Sequence, residues 1–460
     1  MMARKANIVA IVKAEPKVAV HASPARTAAF DVLLRVEQGS FADELLHSAL
    51  LNALFPVDRA LCTEIVMGVL RWRFTIDCEI AALSFTPFRK LDLEVLTALR
   101  MGVYQLRFLD RIPRHAAINE SVELVKRGRK ASAAALVNAI LRKLSREKSA
   151  RTGAAVTPDE LALTFSHPAW LMKRWVEAYT TEIAVTMADW DQHVPPVSIR
   201  MSGDSDVRGD LEADGIRLSP GKLLHSAFEV SDGDITKTAA FRDGRVAIQD
   251  EGSQLVALLV GSGTRILDCC AAPGGKTAIL AERNPNASVI AVELHPQRAR
   301  LTRGRVRANN VQVITADARS LPLAGNFDRV LADVPCSGTG TLARNPDIKW
   351  RLKPEDLPDL HARQVAILSG AAGQLAPSGR LVYSSCSLEH EENEDVIEEV
   401  MGAHPELKVR NIGQELERLK TSGELVWPDV GSLLRGPYLR TLPGIHPCDG
   451  FFAAIIEKTA

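Results

Sequence analysis

The sequence predicts a multidomain protein: an all-α N-terminal domain, a small α+β middle domain and a C-terminal α/β domain of Rossmann-like build. Three observations carry that expectation. Between about 25 and 150, apolar residues recur at helical spacing, as in Phe30, Leu33 and Leu34 and again in Leu61, Ile65, Val66, Val69 and Leu70. From 157 to 247, helical stretches mix with short strand-like pieces. From 248 to 460, short apolar runs alternate with helical spacers, the pattern of parallel strands joined by crossover helices.

Each part follows in order. Residues 1–24 are basic, and the apolar stretch at 8–12 is too short for a signal-peptide core, so this segment reads as a disordered tail. In the helical domain, 25–150, proline falls at joints such as Pro56, Pro87 and Pro113. Residues 151–156 read as a linker. Thr157, Pro158 and Glu160 then form a helix start with a capping box. A helix over about 170–188 follows, and Pro195-Pro196 breaks the chain before a strand at 197–201. In the last domain, strands are expected at 265–268, 289–294, 312–317, 329–333 and 380–384, with helices at 277–283, 296–308 and 357–375. Open sheets of this kind bind ligands outside the carboxyl ends of their strands.

Composition narrows the function classes. The chain has 460 residues, 46% hydrophobic and 24% charged, enough to bury a core without metals or disulfides as staples. Lys plus Arg equals Asp plus Glu at 56 each, which argues against a histone-like or heavily acidic protein. Local basic faces remain, because nine Lys or Arg stand against the single acid Glu147 between Lys126 and Arg151. Such a run is usually a solvated face; the sharper alternative is a surface for phosphates. Seven cysteines without a Cys-x-x-Cys pair, and 11 scattered His, argue against a disulfide scaffold and a structural zinc site. No apolar run reaches the length of a membrane span, and a cytoplasmic location is expected.

The first strand end reads Asp268-Cys269-Cys270-Ala271-Ala272-Pro273-Gly274-Gly275-Lys276-Thr277. Small residues there let a ligand approach the backbone at a helix N-terminus. A P-loop would need a glycine where Cys270 stands, and a dinucleotide fingerprint would need its third glycine where Ile266 stands. S-adenosylmethionine is the remaining candidate. Glu293 at the second strand end suits ribose hydroxyls, and Asp317 at the third suits an adenine amine. One strand-end acid is usually a cap; three at successive strand ends around a Gly-Gly turn point to a ligand.

Two cysteines are expected at the same edge, in Asp333-Val334-Pro335-Cys336 and in Tyr383-Ser384-Ser385-Cys386-Ser387. A buried cysteine is usually filler, but flanking Ser, Gly and Pro favour chemistry here. A thiolate is needed when the carbon to be alkylated is a poor nucleophile, as carbon 5 of a cytosine is. Addition at carbon 6 makes carbon 5 enamine-like, an acid such as Asp333 stabilises the developing charge, and a base then removes the carbon-5 proton.

These three runs together resemble the RNA cytosine-5 methyltransferase family. The stretch from Pro113 through Asn119-Glu120-Ser121 to Lys126, and Val137-Asn138-Ala139-Ile140-Leu141-Arg142, resemble an antitermination-factor-like RNA-binding domain. Further matches are Ser166-His167-Pro168-Ala169-Trp170-Leu171, Gln249-Asp250-Glu251-Gly252-Ser253-Gln254, Arg344-Asn345-Pro346-Asp347-Ile348-Lys349-Trp350 and Asp449-Gly450-Phe451-Phe452. The resemblance spans nearly all of the chain after the tail.

It implies methyl transfer from S-adenosyl-L-methionine to carbon 5 of a cytosine in small-subunit (16S) ribosomal RNA, with transfer RNA as the rival substrate. Cys270, Ala271, Ala272, Pro273, Gly274, Gly275, Lys276, Glu293, Asp317 and Asp333 fall on cofactor-binding positions. Cys386 falls on the nucleophile and Cys336 on the cysteine that assists product release. A monomer with no metal and no membrane association is expected. Met201-Ser202 and Tyr179-Thr180 depart from the family pattern, and both lie in the middle domain, where they bear on substrate fit. Arg298, Arg300, Arg303, Arg305 and Arg307 cannot share one helix face and are expected to be solvated decoration, with an RNA contact as the alternative. The acidic stretch after Ser387 is expected to be the solvated start of a helix.

Overall fold

A computed structural model describes residues 22–147, 157–202 and 206–459; the tail up to residue 21 and the linker at 151–156 lie outside these. The chain divides into two compact units: residues up to Val69 with 76–151, and Leu70–Thr75 with 152–460.

The first unit is helical. Its longer helices are Pro24–Glu37, Pro56–Arg71 (shared at its end with the second unit), Arg73–Leu83, Leu93–Phe108, Arg114–Arg127 and Ala134–Leu144. The predicted stripes form its core, with Phe30, Leu33, Ile65, Val66, Leu99, Val103, Leu124 and Leu141 all buried. Arg100 is buried among them and forks to Asp77 at 2.7 Å and Glu37 at 3.1 Å, so its charge is compensated. Within the basic run, Lys126 pairs with Glu123, Arg127 with Asp31 and Lys130 with Asp92, while Arg129, Arg142, Lys143 and Arg146 are exposed.

In the second unit, the predicted capping box is formed: Thr157 Oγ1 accepts from Glu160 N at 3.3 Å, and Glu160 accepts from Thr157 N at 2.9 Å. The single helix expected over 170–188 is two, Ala169–Ala178 and Thr181–Trp190. Thr180 divides them, because its side chain caps the second by accepting from Ile183 N. An antiparallel sheet follows, of β1 (Val197–Met201), β2 (Arg217–Pro220), β3 (Ala227–Asp232) and β4 (Val246–Ile248), in the order β2-β3-β1-β4.

The large sheet has nine strands: β5 (Arg265–Asp268), β6 (Ser288–Glu293), β7 (Val311–Thr315), β8 (Phe327–Asp333), β9 (Leu375–Ser385), β10 (Leu407–Arg410), β11 (Leu434–Arg435), β12 (Tyr438–Arg440) and β13 (Phe452–Lys458). Their order is β11-β12-β13-β9-β8-β5-β6-β7, with β10 also paired to β13. β5 to β9 are mutually parallel; β10 to β13 add antiparallel pairings. Residues such as Ile266, Leu267, Val289, Val292, Val330, Leu331, Leu381 and Val382 are buried, as a parallel sheet covered on both faces requires. From β5 the order runs outward through β6 to one side and β8 to the other, so the crevice for a ligand opens at the carboxyl ends of β5 and β8.

Several boundaries differ from expectation. The third strand stops at Thr315, two residues before Asp317, because Asp317 closes a turn: its Oδ1 accepts from Arg319 N at 2.9 Å and its carbonyl from Ser320 N at 3.0 Å. The helix expected over 296–308 ends at Arg305, where Val306 becomes extended and buried. The helix expected over 357–375 ends at Ala372, and β9 starts earlier, at Leu375.

Beyond the strand ends, backbones touch. Gly340 N donates to Cys386 O at 2.9 Å, and Gly450 N donates to Gly340 O at 2.8 Å. A Cβ on Gly340 would lie 2.3 Å from the Gly450 carbonyl oxygen. Gly340→Ala therefore has to move backbone, and a loss of about 1–3 kcal/mol is expected, read as a lower urea midpoint; an unchanged midpoint would show that the contact is not constraining.

Candidate active site

The loop after β5 is pinned by both neighbouring strands, with Cys269 N bonded to Leu331 O and Ala271 N to Val292 O, each at 2.8 Å. Gly274 adopts φ +104°, which a side chain would strain, and opens the helix Gly275–Arg283. A Cβ on Gly275 would meet the Gln249 amide at 3.2 Å, so bare backbone lines this turn.

Asp268 is buried beneath the loop. Its Oδ2 accepts from Thr277 Oγ1 at 2.7 Å, while Oδ1 has no side-chain or backbone partner among the described residues. Burial pushes its carboxyl up to about 6, with the Thr277 bond opposing and the Asp333 charge adding. Glu293, also buried, closes β6 and takes His295 N on Oε1 at 2.9 Å. Asp317 is further out, and Arg319 engages both of its carboxylate oxygens; those bonds hold its carboxyl below the ordinary range.

Lys276, expected in the cofactor loop, crosses to the end of β8. Its Nζ lies 2.7 Å from Asp333 Oδ2, and Ser384 Oγ donates to Asp333 Oδ1 at 2.7 Å. Burial lowers the Lys276 ammonium, but the Asp333 charge outweighs this and the net shift is upward. Phe451 places its ring centroid 5.3 Å from Nζ. Lys276, Asp333 and Ser384 thus join three strand ends in one charged unit.

The two predicted cysteines meet. Cys336 Sγ and Cys386 Sγ are 3.3 Å apart and both are half-buried. The bond to Cys386 and burial push the Cys336 thiol well above its usual range. Cys269 is instead fully buried behind the loop, among Leu267, Val292 and Val330, and serves as filler.

The acidic stretch after Ser387 is not the solvated segment expected. Glu389 and Glu392 are buried. Arg174 forks to Glu389 and Glu391 at 2.5 Å each, and Glu392 accepts bonds from Ser337, Gln364 and Ser387. Only from Glu394 does the stretch enter the helix Glu394–Ala403. These loop donors need acceptors away from water, and the acids supply them. The spacing of acids after Cys386 carried this signal, but an acidic run reads as solvated without the loops it faces.

The remaining sequence matches converge as support. Arg344 reaches Asp449 at 2.9 Å, Asp250 at 3.2 Å and Pro196 O at 3.1 Å. Buried Lys349 donates to Arg71 O and Ser166 O, and His167 Nε2 lies 3.1 Å from Asp191 Oδ2. Burial pushes the Asp191 carboxyl up and the Lys349 ammonium down. Of the arginines after β6, Arg303 donates to Val313 O and Arg307 to Arg242 O, so two of the five tie down local backbone.

Residues 256–457 match the family 16S rRNA methyltransferase RsmB/F, and residues 23–146 match the NusB family. The probable ribosomal RNA small subunit methyltransferase B of Bacillus subtilis (strain 168) is 34% identical, covering 94% of this chain and 98% of its own length. The chain belongs to the 16S rRNA methyltransferase RsmB/F family. The ribosomal RNA small subunit methyltransferase B of Vibrio cholerae is 32% identical over 88% of this chain and 90% of its own. The crystal structure of PH0851 shares the fold, with a TM-score of 0.77 and 23% identity over 95% of this chain and 99% of that one.

An RsmB/F methyltransferase acts on ribosomal RNA and takes its methyl group from S-adenosyl-L-methionine. The crevice fits that cofactor: the turn at Gly274-Gly275 is bare, Glu293 is a buried strand-end carboxylate and Asp268 keeps an unpartnered oxygen beneath the loop.

Asp268 also predicts a pH effect on the cofactor-free protein. Its folded value, about 6, lies above the ordinary value of about 3.9, so between these limits the folded chain holds a proton that the unfolded chain has released. Stability from this group is fully present below about pH 4 and lost as pH rises through about 6. Asp268→Asn should flatten that fall by on the order of 2 kcal/mol, measured as urea midpoints from pH 4 to 7; parallel curves for the two proteins would contradict the assignment.

Proposed function

We propose that the enzyme methylates carbon 5 of an exposed cytosine in 16S ribosomal RNA through a covalent adduct with Cys386. The observation that carries this reading is the pair of thiols 3.3 Å apart beside the Lys276–Asp333 ion pair. Methylation of an exocyclic nitrogen or a ribose hydroxyl needs no thiol, whereas carbon 5 of cytosine must first be activated by addition at carbon 6.

The residues divide the work as follows. The Cys386 thiolate adds to carbon 6, and the electron pair of the 5,6 double bond turns carbon 5 into a nucleophile. Addition puts negative charge on the ring nitrogen; Asp333, held by Lys276 and Ser384, passes a proton from the Lys276 ammonium to that nitrogen and so neutralises it. A solvent water takes the carbon-5 proton as the Cys386 thiolate leaves carbon 6, and Cys336, kept a neutral thiol, donates a hydrogen bond to the departing sulfur. The cofactor supplies the methyl group. Cys270, Ala271, Ala272, Pro273, Gly274 and Gly275 form its backbone cradle, Glu293 takes the ribose hydroxyls, and Asp317 exchanges Arg319 for the adenine amine. Lys276 lies at the edge of that cradle and serves Asp333.

A target cytosine has to leave its stack to reach the crevice, so loop or unpaired sites are favoured. The exposed Arg129, Arg142, Lys143 and Arg146 of the helical unit supply phosphate contacts. The enzyme is read as a cytoplasmic monomer that needs no metal.

The test uses Cys336→Ala and Cys386→Ala with unmethylated small-subunit RNA and cofactor on a denaturing gel. Cys336→Ala should accumulate a protein–RNA adduct; Cys386→Ala should form none and transfer no measurable methyl. The reverse pattern would exchange the two roles. Full methyl transfer by both variants would rule out the covalent route, and transfer to transfer RNA alone would move the substrate.

A further inference from the structure

We propose that Glu392 is a positioning residue for methyl transfer: its one buried carboxylate clamps the residue that follows each cysteine and thereby sets how the two thiols face each other. The inference rests on the roles of Cys386 and Cys336 given above.

Glu392 is 0% exposed, and both of its carboxylate oxygens are in use. Oε1 accepts from Ser337 N at 2.8 Å and from Gln364 Nε2 at 2.8 Å. Oε2 accepts from Ser337 Oγ and from Ser387 Oγ. Ser337 follows Cys336, and Ser387 follows Cys386. Ser337 Oγ also lies 3.0 Å from Ser387 Oγ, which closes a triangle of the two hydroxyls and the carboxylate. Gln364 donates to Pro335 O at 3.0 Å as well, so the residue before Cys336 is held through the same side chain.

The clamp is itself fixed. Tyr383 OH donates to Glu392 O at 2.6 Å, and Asn393 is buried against Ser385 Oγ at 2.6 Å and Ser387 O at 3.0 Å. The two loops are also bonded directly, by Gly340 N to Cys386 O at 2.9 Å and by Leu388 N to Thr339 Oγ1 at 2.8 Å, but it is the Glu392 carboxylate that holds the residue after each cysteine. An ordinary buried acid satisfies donors wherever they lie. Glu392 takes donors from the two reacting loops and from the helix behind one of them. A buried carboxylate is costly unless well bonded, and four donors offset that cost at this position.

The carboxylate also acts on the thiols electrically. The hydrogen bond to Cys386 and burial push the Cys336 thiol up, and the negative charge of Glu392 adds to that push. Glu392 thus favours the neutral form of the releasing cysteine beside the attacking one.

The experiment compares wild type, Cys336→Ala and Glu392→Gln in the full-length enzyme with small-subunit RNA. Glutamine keeps the shape, but its amide nitrogen cannot accept from Ser337 and Ser387. Cofactor affinity should stay within about twofold of wild type, and KM for RNA within about threefold. kcat should fall by on the order of 10–100-fold, with adduct accumulating as in Cys336→Ala, because misplacing a reacting group by about 1 Å costs up to about that factor. In a Cys386→Ala background, the pH midpoint for alkylation of Cys336 by iodoacetamide should move down when Glu392→Gln is added.

Wild-type kcat without adduct, or an unmoved midpoint, would overturn the proposal. Should Glu392→Gln lose cofactor binding, Ser337→Ala removes the clamp's hydroxyl from one loop; wild-type turnover and no adduct in that variant would overturn it equally. If Cys336→Ala itself accumulates no adduct, the covalent reading has failed instead.

Discussion

The separation of two sulfur atoms, 3.3 Å across a gap between two loops, is the constraint on which the site depends. Cys336 leaves β8 and Cys386 leaves β9, so adjacent parallel strands deliver them. Strand pairing alone sets backbone spacing, not the meeting of side chains several residues beyond the last pair. The approach is finished by close backbone contact at Gly340 and Gly450 and by buried acceptors under the loops. The same edge carries the Gly274-Gly275 loop after β5, so that loop and the thiols share one crevice by virtue of strand order.

Charge buried around this edge gives it definition. Lys276, Asp333 and Ser384 form one set, and Arg344, Asp250 and Asp449 another. Burial and the neighbouring Asp250 push Asp449 upward, with Arg344 opposing. Breaking one partner of such a set leaves a charge uncompensated, which costs more than the pair contributes. The middle segment joins through Pro196 O, and the Leu70–Thr75 turn through Arg71 O and Leu70 O, which bond Lys349 and Trp350. A polar scaffold of this kind suits an enzyme that has to hold its reacting groups to a fraction of an ångström while admitting a large, charged substrate.

Much of this was legible in the residues. The strands β5, β6, β8 and β9 announced themselves as apolar runs, and their ends carried Asp268, Glu293, Asp333 and the two cysteines in the places where the structure has them. The capping box at Thr157 was readable because it is local. What was not legible was settled at long range. Asp317 reads as a strand end until the turn onto Arg319 is seen. The acids after Ser387 read as solvent-facing until Ser337 and Gln364, far away in sequence, turn out to need them. The antiparallel strand β13 was present as the run Phe452-Ala453-Ala454-Ile455-Ile456, but its pairing with β9 follows from topology rather than local pattern. Lys276 reads as part of the cofactor loop; its partner Asp333 lies 57 positions on.

We propose that the methyl group goes to carbon 5 of cytosine, through addition at carbon 6. The most direct measurement is release of tritium from small-subunit RNA labelled at cytosine carbon 5, followed alongside methyl incorporation by wild-type enzyme. One tritium released for each methyl group transferred is the predicted result, because carbon 5 has to lose its hydrogen after accepting the methyl group. Methyl incorporation with the tritium retained would contradict the account and place the modification on another atom.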